Sequence, residues 1–136
     1  MIKQNFMFIS DNYKKIAKLL NLDKCLIAFD IQTTGVNISS DKIVELALVK
    51  IHPEGQVKKR EYLFDPEIPI EPELTAFHGI RNRHVADQPK FRDKAQELFD
   101  IFNDCYYSGF NIMLFDLPIL RREFIRNGID FEYDEK

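Results

Sequence analysis

Apolar positions along this chain repeat with two periods, and the changes of period divide it into elements. Tyr13, Ile16, Ala17 and Leu20 fall at i, i+3, i+4 and i+7, which predicts an amphipathic helix over about 11–21, with Ser10 or Asp11 placed to accept its first free N–H groups. Cys25 to Phe29 form an unbroken apolar run, as expected of a central strand covered on both faces, and Asp30 is expected to end it. The β-branched and aromatic stretches Ile43–Ile51 and Val57–Phe64 flank Pro53-Glu54-Gly55 and predict a hairpin of two antiparallel strands. Pro66, Pro69 and Pro72 make 65–72 an extended surface segment. Phe91, Ala95, Leu98, Phe99 and Phe102 restore the helical period after Pro89 and predict a helix over about 89–103. Cys105–Phe110 suits another buried strand. Leu117, Leu120 and Phe124 mark a last helix over about 115–127, opened by Asp116 and Pro118 and closed by Gly128.

That order of elements predicts a mixed α/β sheet with helices packed against it. Ligands of such sheets gather beyond the C-terminal ends of the strands, where Asp30 and the segment 111–116 are expected. With 136 residues, 45% of them apolar, the chain can build one core, divided here into an N-terminal helical extension, 1–24, and a domain over 25–136. Its 19 basic and 22 acidic residues give a net charge of −3. This argues against a protein that blankets nucleic acid with positive charge, but not against a site where bound cations supply that charge. The longest apolar run, Cys25–Phe29, is far shorter than the roughly 20 residues of a membrane span, and no leader cleavage site follows Phe6-Met7-Phe8-Ile9, so a cytoplasmic protein without a membrane partner is expected. Cys25 and Cys105 lack a CxxC partner or a neighbouring His in sequence and are expected to be buried free thiols.

Asp30 and Asp116 carry the candidate chemistry. If their strands are neighbours, the two carboxylates share a partly dry cleft and repel unless protons or cations intervene. Oxygen donors of this kind favour magnesium or manganese over zinc. Spacing alone leaves a plainer account open, in which Asp30 ends a strand and Asp116 caps a helix.

The surrounding residues add a resemblance. Phe29-Asp30-Ile31-Gln32-Thr33-Thr34-Gly35 resembles the first motif of the DEDD superfamily of 3′–5′ exonucleases, Phe-Asp-x-Glu-Thr-Thr-Gly. Asn111-Ile112-Met113-Leu114-Phe115-Asp116-Leu117 resembles the second, and Phe77-His78-Gly79-Ile80, followed by Pro89 and Phe91, the intermediate His-Gly-Ile loop. Order and spacing agree over about 25–128, and the likeness extends to the proofreading epsilon subunits of bacterial replicative polymerases and their stand-alone cousins. The resemblance implies a ribonuclease H-like fold, three antiparallel strands joined by parallel ones. It further implies two magnesium or manganese ions held by four acids, hydrolysis at the 3′ end of single-stranded DNA or RNA, and a DNA polymerase as a partner.

Carried over residue by residue, the resemblance makes Asp30 a ligand bridging both metals and Asp116 a ligand to one. It places the turn Thr33, Thr34 and Gly35 against the terminal nucleotide, His78 beside it, and Asn111 on the substrate backbone. Two departures follow. Gln32 stands where the family has Glu, and a neutral carboxamide with a donor end weakens a metal site. The family's third motif, a His shortly before the last catalytic Asp, is expected beyond Asp116, but His52, His78 and His84 all precede it, and Asp130, Glu132, Asp134 and Glu135 read as a solvated acidic tail. The fold is therefore expected without its C-terminal part, with hydrolysis weak or absent. The alternative is an inactive nuclease-fold module that binds nucleic acid or a protein. Arg81, Arg83, His84, Lys90, Arg92 and Lys94, with Arg121, Arg122 and Arg126, either track a phosphate backbone or form an ordinary charged face.

Overall fold

Alternation along one strand decides the architecture. In β1 (Leu26–Thr33), Ile27, Phe29, Ile31 and Thr33 are buried while Leu26, Ala28, Asp30 and Gln32 are half-buried, so successive side chains face two differently covered sides. The computed structural model describes residues 13–109 and 115–133. Within them β1 pairs antiparallel with β2 (Ile43–Ile51), β2 antiparallel with β3 (Val57–Leu63), and β1 parallel with β4 (Tyr106–Ser108), giving the order β3-β2-β1-β4. The mixed sheet is the one expected, with one correction: β1 does not end at Asp30 but runs three residues further. A charged side chain does not stop a strand when it points to the less covered side, and β2 continues to pair beside it, Asp30 with Ala47 and Gln32 with Glu45, before a bulge at Gln32/Thr33.

One face of the sheet carries the main core. Phe29, Leu46 and Leu48 lie under α4 (Phe91–Phe102) and α5 (Leu117–Arg126), which contribute Leu98, Phe102, Leu120 and Phe124. Phe29 meets Phe102 edge-on at 5.1 Å between ring centres, and Phe91 meets Phe124 at 5.5 Å. Each such side chain, fully withdrawn from water, contributes about 1.5–3 kcal/mol. On the opposite face Ala17 of α1 (Tyr13–Leu20) packs against Ala47, Val49 and Ile51. Leu26, Ala28, Asp30 and Gln32 share that face with them through the β1–β2 register. Among the described residues no helix is long and apolar enough to cross a membrane.

Several boundaries shift. α4 begins at Phe91 rather than Pro89; its first turn is closed by Asp93 Oδ2, which accepts the Lys90 N–H at 2.9 Å. The last strand is three residues long, and Phe110 lies outside the described residues. Two helices went unforeseen, α2 (Pro72–His78) and α3 (Asn82–Val85). Their signal was present in Pro72 at the helix start and Gly79 just past its end, at φ 76°. Cys105 is buried as expected, but Cys25 is only half-buried.

Candidate active site

Among the described residues β4 is last paired with β1 opposite Ala28, two residues short of Asp30. The start of α5 comes in there. Residues 115–116 wind as a π-type turn, and Asp116 has helical dihedrals, φ −64° and ψ −48°, and makes no side-chain capping bond. The plainer account of Asp116 as a helix cap is thereby overturned: its carboxylate is turned away from its own helix, toward β1. Burial, then the charge of Asp30, pushes the Asp116 carboxyl up to about 8, against a smaller opposite pull from the backbone N–H of Ile31. Asp116 is 4% exposed, and its Oδ2 is buried without a hydrogen-bond partner. The fold thus joins the two aspartates across 86 residues of sequence.

Gln32 lies beside them. As residues i and i+2 of one strand, Asp30 and Gln32 share a face, and Gln32 Nε2 donates to Asp30 Oδ2 at 3.5 Å. The carboxamide therefore turns its donor end toward the carboxylate, as a neutral group must when it replaces an acid next to another acid.

The following turn is knit to itself. Thr33 Oγ1 donates to the Gly35 carbonyl at 2.6 Å, and Thr34 Oγ1 donates to Asp41 Oδ1 at 2.7 Å while accepting the Lys42 N–H at 3.0 Å. Asp41 Oδ2 accepts the Asn37 N–H at 2.8 Å. Gly35 makes room for Asp41, since a Cβ added there would lie 2.4 Å from Asp41 Oδ2. Asp41, 8% exposed, escaped the sequence reading because no local pattern marks a carboxylate that folds back six residues onto a glycine.

His78 is likewise not the surface cap that a helix-end histidine suggests. It is 6% exposed, Nδ1 accepts the Ile80 N–H at 3.1 Å, and the proton this leaves on Nε2 is directed to the Thr33 carbonyl at 3.2 Å. His78 therefore clips α2 to the end of β1. Beside it Phe77 is 78% exposed, and Val36, next to Gly35, is 74% exposed. In the sequence Phe77 stands out only as part of a motif, and Val36 not at all. Asn111 lies outside the described residues.

The basic clusters are partly spent. Arg92 pairs with Glu67 at 2.7 Å, Lys90 with Asp65 at 3.5 Å, and Arg126 with the buried Glu123, while Arg126 also donates to the Ser39 carbonyl at 2.7 Å. Burial raises the Glu123 carboxyl above its ordinary range, Arg126 opposing. Arg121 pairs with Glu132 at 3.0 Å, so this acid of the expected solvated tail has a partner; Arg81, Arg83 and Arg122 are exposed.

The described residues contain no group of three or more His, Cys, Asp or Glu side chains placed to hold a metal ion. Two carboxylates, one with an orphaned buried oxygen, fit one hard divalent cation. With Gln32 neutral, they do not supply the negative charge for two.

A mixed sheet with a carboxylate pair beside its first strand places the chain in a class, and comparison with known proteins defines it: the chain belongs to the RNase_T family of exonucleases, whose pattern matches residues 27–133. It is 31% identical over 104 residues to a PolC-type DNA polymerase III of Latilactobacillus sakei, covering 76% of this chain and 7% of that protein. It is 24% identical over 119 residues to the DNA polymerase III subunit epsilon of Haemophilus influenzae, covering 80% of this chain and 44% of the relative. The 3′–5′ exonuclease DinG of Staphylococcus epidermidis is 22% identical over 103 residues, 76% of this chain and 11% of DinG. The chain thus spans less than half the length of these relatives. Among solved structures, E. coli exonuclease I in complex with a dA16 oligonucleotide superposes with a TM-score of 0.71 at 19% identity, over 79% of this chain and 25% of that one. The ribonuclease H-like exonuclease fold and the 3′–5′ exonuclease family expected from the motifs are the ones found.

Proposed function

We propose that this chain is a 3′-end binding module of the exonuclease type, taking single-stranded DNA or RNA, with Asp30 and Asp116 holding one magnesium or manganese ion. The observation that carries the reading is the buried, unpartnered Asp116 Oδ2 set against the charge of Asp30, an arrangement that a cation or a proton must complete. Such an ion, when bound, lowers the pKa of a water and stabilises charge on a phosphate oxygen. The chain's own residues do the rest. The turn of Thr33, Thr34 and Gly35 fixes the end of β1, and His78 holds α2 beside it. Exposed Phe77 and Val36 give a terminal base an apolar surface to stack on. Arg81 and Arg83 are free of ion pairs among those described and face the solvent from which a phosphate backbone would come. A DNA polymerase is the partner proposed, by analogy with the relatives.

Hydrolysis by the two-ion route needs more acidity than two aspartates give, so the chain as it stands is slow. A second reading, a binding module without hydrolysis, is favoured by the Gln32 amide that donates to Asp30 where an acid would bind metal. A 3′-labelled oligonucleotide with manganese distinguishes them. Gln32→Glu is expected to shorten the strand faster than the wild type, with Asp30→Ala inert. If Gln32→Glu matches Asp30→Ala, the hydrolytic reading fails. If the wild type also fails to retain single strands at low salt, nucleic-acid binding fails with it.

A further inference from the structure

The end of the sheet away from Asp30 carries a second constellation. Leu26 is level with Ile51 on β2 and with Tyr106 on β4, so the residues just before or after them, His52, Cys25 and Cys105, form one row across three neighbouring strands. The Tyr106 N–H donates to the Cys25 carbonyl at 2.8 Å, which fixes the level of the two cysteines. Both pack against the main core cluster, so they lie on the same side of the sheet. Neighbouring strands stand about 4.8 Å apart, within the Cα separation of about 4.4–6.8 Å that a disulfide spans. Cys25 Sγ lies 3.2 Å from His52 Nδ1, which accepts the thiol proton in the tautomer that carries its hydrogen on Nε2. Cys105 is 6% exposed, its thiol directed at the carbonyls of Asn103 and Ile101 at 3.4 and 3.6 Å.

We infer that Cys25 and Cys105 are a redox pair, in which a peroxide oxidises Cys25 and Cys105 converts the product to an intrachain disulfide. The proton of Cys25 passes to His52 Nδ1, and the thiolate sulfur attacks one peroxide oxygen. The O–O bond breaks, the departing hydroxide takes the proton back from His52 and leaves as water, and Cys25 becomes a sulfenic acid. Cys105 sulfur then attacks the Cys25 sulfur, the S–O bond breaks, and the hydroxide leaves with the Cys105 proton as a second water. Two electrons pass from the two sulfurs to the peroxide, and the hydrogens of both thiols end in water. The order of events follows from the surroundings. Cys25 is half-buried with an imidazole beside it, whereas burial pushes the Cys105 thiol up to about 11, Lys50 and Lys24 opposing and Asp104 adding to the shift. Cys105 thus resolves rather than initiates.

The bond would tie the start of β1 to the start of β4, strands that share three residue pairs among the described residues. Asp30 follows on the first of these strands and Asp116 comes after the second, so oxidation clamps the frame of the carboxylate pair. The redox chemistry itself does not depend on the function proposed above.

The test treats the reduced full chain, in chelator, with hydrogen peroxide added in steps, and follows thiols under denaturing conditions, intact mass and a non-reducing peptide map. Both thiols should vanish together, with loss of two hydrogens, a Cys25–Cys105 peptide in the map, and recovery by a dithiol. Cys105→Ser should stop at a sulfenic acid on Cys25 that dimedone captures, and Cys25→Ser should leave Cys105 reduced over the same time. His52→Ala should slow the first step by about tenfold or more through loss of the proton acceptor. Oxidation of Cys25 to sulfinic acid without a crosslink in the wild type, a disulfide between two chains, or equal reactivity of Cys105 in Cys25→Ser would each overturn the assignment.

Discussion

Replacing Asp116 by Asn removes one buried charge and keeps the shape of the side chain, so its effect on stability must depend on pH. In the metal-free folded chain the carboxyl keeps its proton up to about 8, whereas its ordinary value is 3.8. Between those values the folded state binds more protons than the unfolded state, and stability falls as pH rises through the window; below it both states are protonated and nothing is lost. Each unit is worth about 1.4 kcal/mol, so the three units from about pH 5 to about pH 8 set a ceiling of about 4 kcal/mol. Relaxation and water around a buried charge reduce such figures, and about 2 kcal/mol is the effect expected. Urea unfolding in chelator should therefore show Asp116→Asn gaining about 2 kcal/mol on the wild type between those two conditions. Manganese at the higher pH should reverse part of that advantage, because only the wild type keeps both carboxylates to bind it. A difference between the two proteins that stays constant with pH, or that shrinks as pH rises, would refute the placement of Asp116 in a dry cleft beside a second charge.

The turn after β1 gives two further tests. In Gly35→Ala the new Cβ displaces the Asp41 carboxylate and with it the bonds from Thr34 Oγ1 and the Asn37 N–H, which predicts a loss of about 3 kcal/mol. Asp41→Ala in the same chain removes the obstacle, so the double variant should lose clearly less than the sum of the singles. His78→Ala deletes the bonds to the Ile80 N–H and the Thr33 carbonyl and should cost about 2–4 kcal/mol in chemical denaturation. His78→Asn, whose Oδ1 stands near the place of Nδ1, should recover part of it; a loss below about 1 kcal/mol for the alanine variant would mean that the clip between α2 and β1 is not structural.

Much of the frame is legible in one dimension. The apolar run from Cys25, the hairpin around Pro53-Glu54-Gly55 and the periodic stretch from Phe91 to Phe102 each announce their element, because burial imposes a period of two or of 3.6 and turns need residues of their own. The motifs around Asp30, His78 and Asp116 point to the family for a similar reason: they are contiguous words. What stayed hidden is contact between words. Asp41 reaches Gly35 by folding back, and the imidazole of His78 reaches Thr33 across 45 positions, with no local periodicity to report either. α2 is hidden because Pro66 and Pro69 just before it mark an extended segment and outweigh the weaker cue of Pro72 and Gly79 at its two ends.

The sheet's makeup, the family and the identity of the residue at the Glu position can be read in one dimension, since those are matters of residue type and order. Which way Asp116 points, that its Oδ2 is buried and unpartnered near the charge of Asp30, and that Gln32 offers Asp30 a donor emerge only once the chain is folded. So does the level placement, on adjoining strands, of two cysteines 80 positions apart. The physical reason is the same in each case: charge, burial and reactivity depend on distance in space, and strand register sets that distance.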